Sequence, residues 1–286
     1  MNGIVIVDKP SGWTSQDVTA RLRRVFGTRR IGHGGTLDPM ATGVLPVFVG
    51  RATRAVEFFE HARKSYEAEL RLGMTTDTED VTGTVLTEGP VNVSEEEIRQ
   101  VLPRFTGEIQ QIPPMYSALK VDGRKLCDLA RQGVTVERKS RPVTIFSLEC
   151  PEYAPPIARL RIHCSKGTYV RTLCRDIGDA LGCGGCMASL RRTSAGAYTL
   201  ADAVPLQILL DSENPEAFLR PVDSLFAAYP AVTLTPKQTL RCRNGNTFSI
   251  GLPEGLYRAY DPEGTFLMLG QVKDGVMETV KSFFEI

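Results

Sequence analysis

The chain has 286 residues, of which 42% are hydrophobic and 23% are charged. This composition can form the core of about two domains or one large one, and it excludes a wholly disordered chain. Lys and Arg (34) almost balance Asp and Glu (33), so the total charge says nothing against a polyanionic partner. No segment approaches the roughly 20 apolar residues that cross a bilayer, and the N-terminus lacks a secretion signal. Seven scattered cysteines predict reduced thiols in a cytoplasmic protein.

The first third of the chain shows clear strand and helix patterns. The β-branched run over residues 4–7 precedes a turn and predicts a buried strand. Thr14 or Ser15 then caps a helix whose apolar residues recur at helical spacing. Strict alternation from Tyr66 to Leu72 predicts a strand with one buried face.

The middle of the chain mixes both kinds of element. Ser94 and Glu97 form a capping box ahead of an apolar helical stripe. Residues 143–148 and 160–164 are strand candidates, and residues 168–181 fit a helix. Because no regular βαβ alternation is present, the pattern favours an α+β fold.

The texture changes near residue 229, where short strands alternate with turns. This pattern predicts a small β-rich terminal domain. We therefore divide the chain into residues 1–228 and residues 229–286.

The densest chemical signal is the segment 31–46, in which glycines and prolines surround His33 and Asp38. Such a loop has its shape set by the backbone, and it can hold a carboxylate in a fixed direction. The alternative is a tight structural turn in which Asp38 only caps the next segment. The spacing of a phosphate-binding P-loop is absent.

Basic residues are concentrated in the first quarter of the chain, around Asp38. They are Arg21, Arg23, Arg24, Arg29, Arg30, Arg51, Arg54, Arg63 and Lys64. Such a face can attract phosphates while acidic residues elsewhere cancel the total charge. A solvated charged surface is the alternative, and charge alone does not decide between them.

Two other kinds of site find little support. Cys183 and Cys186 have metal-ligand spacing, but a structural zinc ion needs four ligands and no second pair follows. The three histidines stand near no nucleophile elbow, so a hydrolase triad is not predicted. We expect no metal.

The segment Gly35-Thr-Leu-Asp38-Pro-Met-Ala-Thr-Gly43 resembles the Gly-x-Leu-Asp-x-x-Ala-Thr-Gly motif of pseudouridine synthases. Further segments are similar to the bacterial TruB family in particular. In chain order they are residues 8–12, 64–66, 73–80, 111–120, 163–171 and 190–192. The resemblance runs from about residue 3 to residue 192.

This resemblance implies both a fold and a reaction. The fold is a catalytic domain with a long, mainly antiparallel sheet, followed by a PUA-like RNA-binding domain. Asp38 is implied as the catalytic carboxylate, a nucleophile or nucleophile-like group in breaking the glycosidic bond of a uridine. The freed base rotates and rejoins the ribose through C5, so the reaction needs no cofactor.

The family roles of two further residues concern the flipped base and the carboxylate. Arg171 is implied to pair with Asp38, because a guanidinium keeps a carboxylate ionised and orients it. The alternative is a surface arginine on the first turn of a helix. Tyr66 is implied to stack on the flipped base, and its alternative is core packing on the apolar face of a strand.

Three more residues are implied to bind the substrate. His33 matches a histidine that supports the flipped-out RNA, with a backbone-satisfied loop residue as the alternative. Tyr169 falls in a matching motif, and Leu190 is implied as an apolar wall for the base. Any leucine at that spacing also suits a core position. Asp77 and Asp80 match as well, with a structural or RNA-positioning role.

The implied partner is tRNA, bound at the T-arm and through the terminal domain at the acceptor stem. Arg241, Arg243 and Asn244 are the candidate contacts there. We expect a monomer with no membrane association. The competing hypothesis is a noncatalytic RNA-folding protein, which the presence of Asp38 disfavours.

Overall fold

The computed structural model describes residues 1–121 and 123–285. In chain order its strands are β1 (Gly3–Lys9), β2 (Ile31–His33), β3 (Thr42–Val49), β4 (Lys64–Leu72), β5 (Met74–Thr76), β6 (Val85–Glu88), β7 (Gly107–Gln111), β8 (Lys120–Val121), β9 (Arg124–Lys125), β10 (Arg141–Ala154), β11 (Ile157–Cys164), β12 (Gly185–Ala195), β13 (Tyr198–Thr199), β14 (Val204–Pro205), β15 (Ala231–Thr233), β16 (Phe248–Ser249), β17 (Gly255–Tyr260), β18 (Phe266–Lys273) and β19 (Val276–Ser282).

The α-helices are α1 (Ser15–Val25), α2 (Val56–Phe59), α3 (Glu95–Val101), α4 (Leu126–Arg131), α5 (Val170–Ala180), α6 (Leu206–Asp211) and α7 (Pro236–Arg243). Short 3-10 helices cover Gly50–Ala55, Leu102–Phe105, Leu200–Asp202, Pro215–Phe218 and Val222–Phe226. This mixture confirms the predicted α+β class.

Helix α1 begins where its sequence signal places it. Thr14 is the N-cap, and its hydroxyl accepts a 3.0 Å hydrogen bond from the backbone N–H of Asp17. The Asp17 carboxylate in turn accepts from the Thr14 N–H at 2.9 Å. The Thr14 hydroxyl also donates to the Asp17 carboxylate at 2.6 Å, and this bond, together with the one from the Thr14 N–H, lowers the pKa of Asp17. Ser94 and Glu97 build the same reciprocal cap at α3, as predicted.

The chain divides into two compact units. The first comprises Met1–Asp38, Leu45–Glu60 and Asp202–Ile286. Within it β1 pairs in parallel with β14, with Val7 opposite Val204, and β2 pairs antiparallel with the end of β3. Residues 4–7 of β1 are almost fully buried, which confirms the predicted buried strand.

The first unit also contains a five-stranded sheet in the order β15-β17-β18-β19-β16, with α7 beside it. Its buried side chains include Leu234, Tyr257, Leu267, Met268 and Met277. The β-rich texture predicted beyond residue 229 is confirmed. The domain boundary between residues 228 and 229 stays a prediction, because the first unit extends across it.

The second unit comprises Pro39–Val44 and His61–Ala201. Its sheet runs in the order β12-β4-β11-β10-β7, and each strand is antiparallel to its neighbour. The first residues of β3 join β12 in parallel. Helix α5 packs against β12 and β4, with Leu173 and Ile177 buried. The helix predicted over residues 168–181 begins at Val170, because residues 165–168 form a turn closed by a hydrogen bond from Thr168 Oγ1 to the Ser165 carbonyl.

Candidate active site

Asp38 lies in the segment between β2 and β3. The backbone N–H and carbonyl of its neighbour Leu37 both contact the Ser15 side chain. The Leu37 N–H donates to Ser15 Oγ at 2.8 Å, and Ser15 Oγ lies 3.3 Å from the Leu37 carbonyl oxygen. Leu37 itself is buried, whereas Asp38 is half-buried. The first turn of α1 therefore sets the backbone beside Asp38, and the carboxylate keeps some exposure to solvent.

Gly34, just before the motif, and Gly43, its last residue, are required by close packing. A Cβ added to Gly34 would lie 2.5 Å from the ring of Phe59. Gly43 has a φ of +99°, and its Cβ would lie 2.2 Å from the Arg192 carbonyl oxygen. Gly43 stands opposite Arg192 in the parallel pairing of β3 with β12. The motif is therefore not loop throughout, because its last two residues, Thr42 and Gly43, belong to β3.

His33 is the last residue of β2 and is half-buried. Its Nε2 lies 3.2 Å from Nε2 of Gln16 on α1. The ring is thus held at one end by α1, the helix whose N-terminal residue also fixes Leu37. His33 and Asp38 both belong to the first unit.

Tyr66 and Leu190 lie on one face of the second unit's sheet. Tyr66 is opposite Arg192 and Leu190 is opposite Ala68 in the pairing of β4 with β12. Directly opposed residues share a face, and Tyr66 and Ala68 alternate along β4. Tyr66 and Leu190 are each 8% exposed, so burial alone also fits core packing. Their substrate-binding role stays a prediction.

Arg171 is the second residue of α5 and is 5% exposed. Its Nη1 donates to the Thr78 carbonyl at 3.0 Å and its Nη2 donates to the Tyr116 carbonyl at 2.9 Å. Nε lies 3.8 Å from Asp80 Oδ2. The alternative of a surface arginine is therefore wrong. The pairing with Asp38 stays a prediction.

Tyr169 is the N-cap residue of α5, and its backbone is clamped by one buried side chain. Gln111, at the end of β7, accepts from the Tyr169 N–H at 3.0 Å and donates to the Tyr169 carbonyl at 3.2 Å. Gln111 is 1% exposed. These two hydrogen bonds fix the start of α5. They therefore also fix the direction of the helical turn that carries Arg171.

The acidic loop after β5 contributes residues that sequence reasoning assigned only loosely. Asp80 Oδ1 accepts from the hydroxyls of Thr78 at 2.9 Å and Thr82 at 2.5 Å, and from the Thr82 N–H at 3.0 Å. These bonds shape the loop that presents the Thr78 carbonyl to Arg171. The family resemblance over residues 73–80 indicated that this loop matters. It did not indicate that the loop binds Arg171.

Glu79 lies in the same loop, and the sequence predicted no structural or functional role for it. It is 7% exposed, and its backbone has a φ of +63°, a conformation that costs free energy for a residue other than glycine. Oε2 accepts a 2.7 Å hydrogen bond from Thr172 Oγ1, and Oε1 forms an ion pair with Arg175. Two side chains of α5 therefore hold the loop in place.

A cavity of about 560 Å³ opens on the second unit's sheet. Its lining includes Glu67 and Glu69, which stand 3.8 Å from Arg161 and 3.5 Å from Arg159, respectively. These glutamates alternate with the apolar residues of β4. Ala68 and Leu190, from the other face of the sheet, also border the cavity, whereas Asp38, Tyr66 and Arg171 are not part of its lining. We do not place the predicted base-binding site there.

The predicted basic face is mostly exposed. Arg21, Arg23, Arg24, Arg29 and Arg30 are exposed on α1 and the segment after it. Glu285 lies 3.7 Å from Arg30 and 3.2 Å from Arg51. Lys64 differs from the others: it was grouped with the exposed cations, but it is 9% exposed.

The terminal candidates also lie at the surface. Arg241, Arg243 and Asn244 are exposed at the end of α7. Arg241 Nε donates to the Thr247 carbonyl at 2.9 Å, and Arg243 pairs with buried Asp261 at 3.0 Å. These contacts hold both guanidinium groups in place.

Within the described residues, no group of three or more His, Cys, Asp or Glu side chains is arranged to hold a metal ion. Cys183 and Cys186 are free thiols, and burial raises the pKa of Cys186 to about 11. None of the described helices is long and apolar enough to cross a membrane.

Comparisons with known proteins agree with this architecture. Residues 23–170 match the TruB family pseudouridylate synthase (N terminal domain), and residues 171–227 match the tRNA pseudouridylate synthase B C-terminal domain. A relative from Clostridium kluyveri named tRNA pseudouridine synthase B is 42% identical over 289 residues, covering 99% of this chain and 100% of the relative. A relative of the same name from Dechloromonas aromatica is 45% identical, covering 96% of this chain and 93% of its own length.

Solved structures show the same fold. The chain is similar to a Cbf5–Nop10–Gar1 complex with a TM-score of 0.73 and 27% identity, covering 99% of this chain and 85% of the other. An H/ACA RNP bound to a substrate RNA containing 2′-deoxyuridine gives a TM-score of 0.72 and 25% identity, with coverage of 99% and 85%. Fold and motif together define a pseudouridine synthase. Within that class, the chain belongs to the TruB family of pseudouridylate synthases.

Proposed function

We propose that the protein converts uridine to pseudouridine at position 55 in the T-loop of tRNA, with Asp38 as the catalytic carboxylate. The observation that carries this proposal is the complete motif from Gly35 to Gly43. Its carboxylate stands on a backbone that Ser15 fixes from both sides. Preorganisation of this kind is what a reacting carboxylate needs.

The reaction is an isomerisation, so its atoms balance without a cofactor. The bond from ribose C1′ to N1 of uracil breaks, the base rotates, and a bond from C1′ to C5 forms. C5 loses its hydrogen as a proton, and N1 gains a proton. A uridine inside the folded T-arm cannot be reached in place, so it must first be extruded, which costs a few kcal/mol.

The other candidate residues have supporting roles in this proposal. Tyr66 stacks on the extruded base and Leu190 forms its apolar wall, in line with their shared face of the sheet. His33 and Tyr169 bind the RNA around the base. Arg171 orients Asp38, as the family resemblance implies, and its own guanidinium is buried and held by backbone carbonyls.

Recognition of the rest of the tRNA is assigned to the exposed cations. The arginines of α1 bind the T-arm backbone, and Arg241, Arg243 and Asn244 contact the acceptor stem. Such contacts make binding salt-dependent. We propose a monomer that works in the cytoplasm, where the seven free cysteines stay reduced.

The test is tritium release from C5-labelled uridine in an unmodified tRNA transcript, for wild type and Asp38→Ala. C5 gives up its hydrogen only when the base is rejoined there. We expect release by wild type alone, lost when the T-loop target uridine is replaced. If neither protein releases tritium but both bind tRNA tightly and in a salt-sensitive way, the protein is an RNA-folding chaperone instead.

A further inference from the structure

Lys64 is the first residue of β4 and lies two positions before Tyr66. Alternation along a strand puts both side chains on the same face of the sheet. Arg192 joins them there, because it stands opposite Tyr66 in the pairing with β12. The amine of Lys64 therefore lies on the face of the sheet that carries Tyr66, the predicted base-stacking residue.

The hydrogen bonding of this amine is incomplete. Lys64 Nζ donates to the Ala62 carbonyl at 2.8 Å, although an ammonium group has three donors. Across residues 1–121 and 123–285, Lys64 forms no ion pair with a carboxylate. Lys9, another buried lysine, donates to two carbonyls, those of Pro10 and Trp13.

The charges around Lys64 disfavour its ammonium form. Tyr66 shares its face of the sheet, and the groups whose charge acts on Lys64 are Arg192, Cys164 and Lys166. Two of these are cations, and burial raises the pKa of the Cys164 thiol to about 11, so that it stays neutral near pH 8. Burial, followed by the charge of Arg192, lowers the pKa of Lys64 to about 8. A buried charge of this kind destabilises a fold, so stability does not explain it.

The position of the cluster suggests what it binds. Cys164, opposite Lys64, ends β11, and the following turn carries exposed Lys166 before it reaches Tyr169 and Arg171. The Lys64 and Lys166 ammonium groups each have three donors, and the contacts within the described residues use one of each, to the Ala62 carbonyl and to His61 Nε2. Such groups attract an anion, and the abundant anions of an RNA substrate are its phosphates.

We propose that Lys64 and Lys166 bind one backbone phosphate of the RNA segment that carries the target uridine, with Lys64 acting as a positioning residue. This inference rests on the proposed function. The bound phosphate restores a counter-charge to the Lys64 ammonium. In the free enzyme the Lys64 ammonium therefore lacks hydrogen-bond acceptors, and the phosphate of the substrate supplies them.

The first experiment compares Lys64→Met with Lys273→Met, which removes an exposed lysine at the end of β18. The measurements are the Kd for unmodified tRNA at fixed salt and the Tm without RNA. Because a hydrogen bond to a charged group is lost, we expect Lys64→Met to weaken binding about tenfold or more. We also expect its Tm to rise, since an uncompensated buried charge is removed. Lys273→Met changes neither value appreciably.

A purely structural lysine gives the opposite pattern. In that case Lys64→Met lowers the Tm and leaves the Kd of the folded protein unchanged, which overturns the inference. An unchanged Kd overturns it whatever the Tm does.

The second experiment measures Kd between pH 7.5 and pH 9.5. A phosphate keeps the Lys64 ammonium charged, so the bound pKa is above the free pKa of about 8. Binding therefore takes up a proton and weakens as the pH rises through this window. We expect that slope in wild type and in Lys166→Gln, but not in Lys64→Met. A slope that persists in Lys64→Met contradicts the assignment.

The two proposals fail in different ways. Absence of tritium release by wild type overturns the proposed reaction, but the binding comparison still reports on Lys64. Normal release by wild type, together with equal tRNA affinity of Lys64→Met, overturns the phosphate site alone.

Discussion

Thr172 Oγ1 donates a 2.7 Å hydrogen bond to Glu79 Oε2, and this contact joins α5 to the loop after β5. The same loop offers the Thr78 carbonyl to Arg171, which lies one residue before Thr172. The loop and the helix therefore fix each other through adjacent residues. Arg171 is held rigid because the loop that receives its guanidinium is itself held by α5.

Glu79→Gln tests this mutual support. The substitution keeps the side chain's shape but removes the charge that pairs with Arg175. We expect about 1–3 kcal/mol of lost stability in urea unfolding and a lower kcat with little change in KM. Arg175→Gln and the double variant complete a cycle. If the two effects add without coupling, the ion pair does not hold the loop.

Arg171→Lys separates geometry from charge. A lysine keeps the positive charge but cannot donate to both the Thr78 and Tyr116 carbonyls from a planar group. We expect the single-turnover rate of tritium release to fall about 100-fold or more. Arg99→Lys, an exposed arginine of α3 paired with Glu95, is the matched control. A rate equal to wild type would show that charge alone suffices.

Tyr66→Phe and Tyr66→Leu distinguish base stacking from core packing. Stacking on an aromatic ring is worth about 1–3 kcal/mol per base, so Leu should lose that contribution in tRNA affinity while Phe keeps it. If the hydroxyl assists proton transfer, Phe lowers kcat at unchanged KM. Core packing alone predicts Tm changes in both variants with unchanged kinetics of the folded fraction.

Gly43→Ala should be severely destabilising. The residue has a φ of +99°, and the new Cβ would meet the backbone of Arg192 at 2.2 Å. Gly264→Ala is the control, because Gly264 has a φ of +83° and no atom within 4 Å of its Cβ position. The control isolates the conformational cost of about 1 kcal/mol. Thermal unfolding of both variants should show a much larger Tm loss for Gly43→Ala, and equal losses would refute the close packing.

Local sequence patterns predicted a strand or helix well where its buried face or its N-terminal cap identifies it. The N-cap of α1, predicted at Thr14 or Ser15, the capping box at Ser94 and the alternation of β4 all depend on residues close together in the chain. The contacts of Arg171 could not be predicted in this way. Its partners Thr78 and Tyr116 are 93 and 55 residues distant in the chain, and periodicity does not tell which distant segments meet.

The burial of Lys64 was missed for a related reason. A lysine beside other basic residues is normally solvated, and the alternation of β4 indicates its face without indicating what covers that face. The Gly35–Gly43 motif gave the position of Asp38 in the chain. It did not reveal that Ser15 fixes the neighbouring backbone, since that contact joins residues 22 positions apart.

The parallel pairing of β1 with β14 has a consequence for synthesis of the chain. Val7 emerges from the ribosome about 200 residues before its partner Val204. Translation adds about 5–20 residues per second, so β14 is made on the order of 10–40 seconds after the apolar strand β1. The span from His61 to Ala201, by contrast, holds nearly all of its own sheet. Until β14 is made, β1 has only its other neighbour in the sheet, β3, so one edge of the strand stays unpaired while the middle of the chain can already form most of its own sheet.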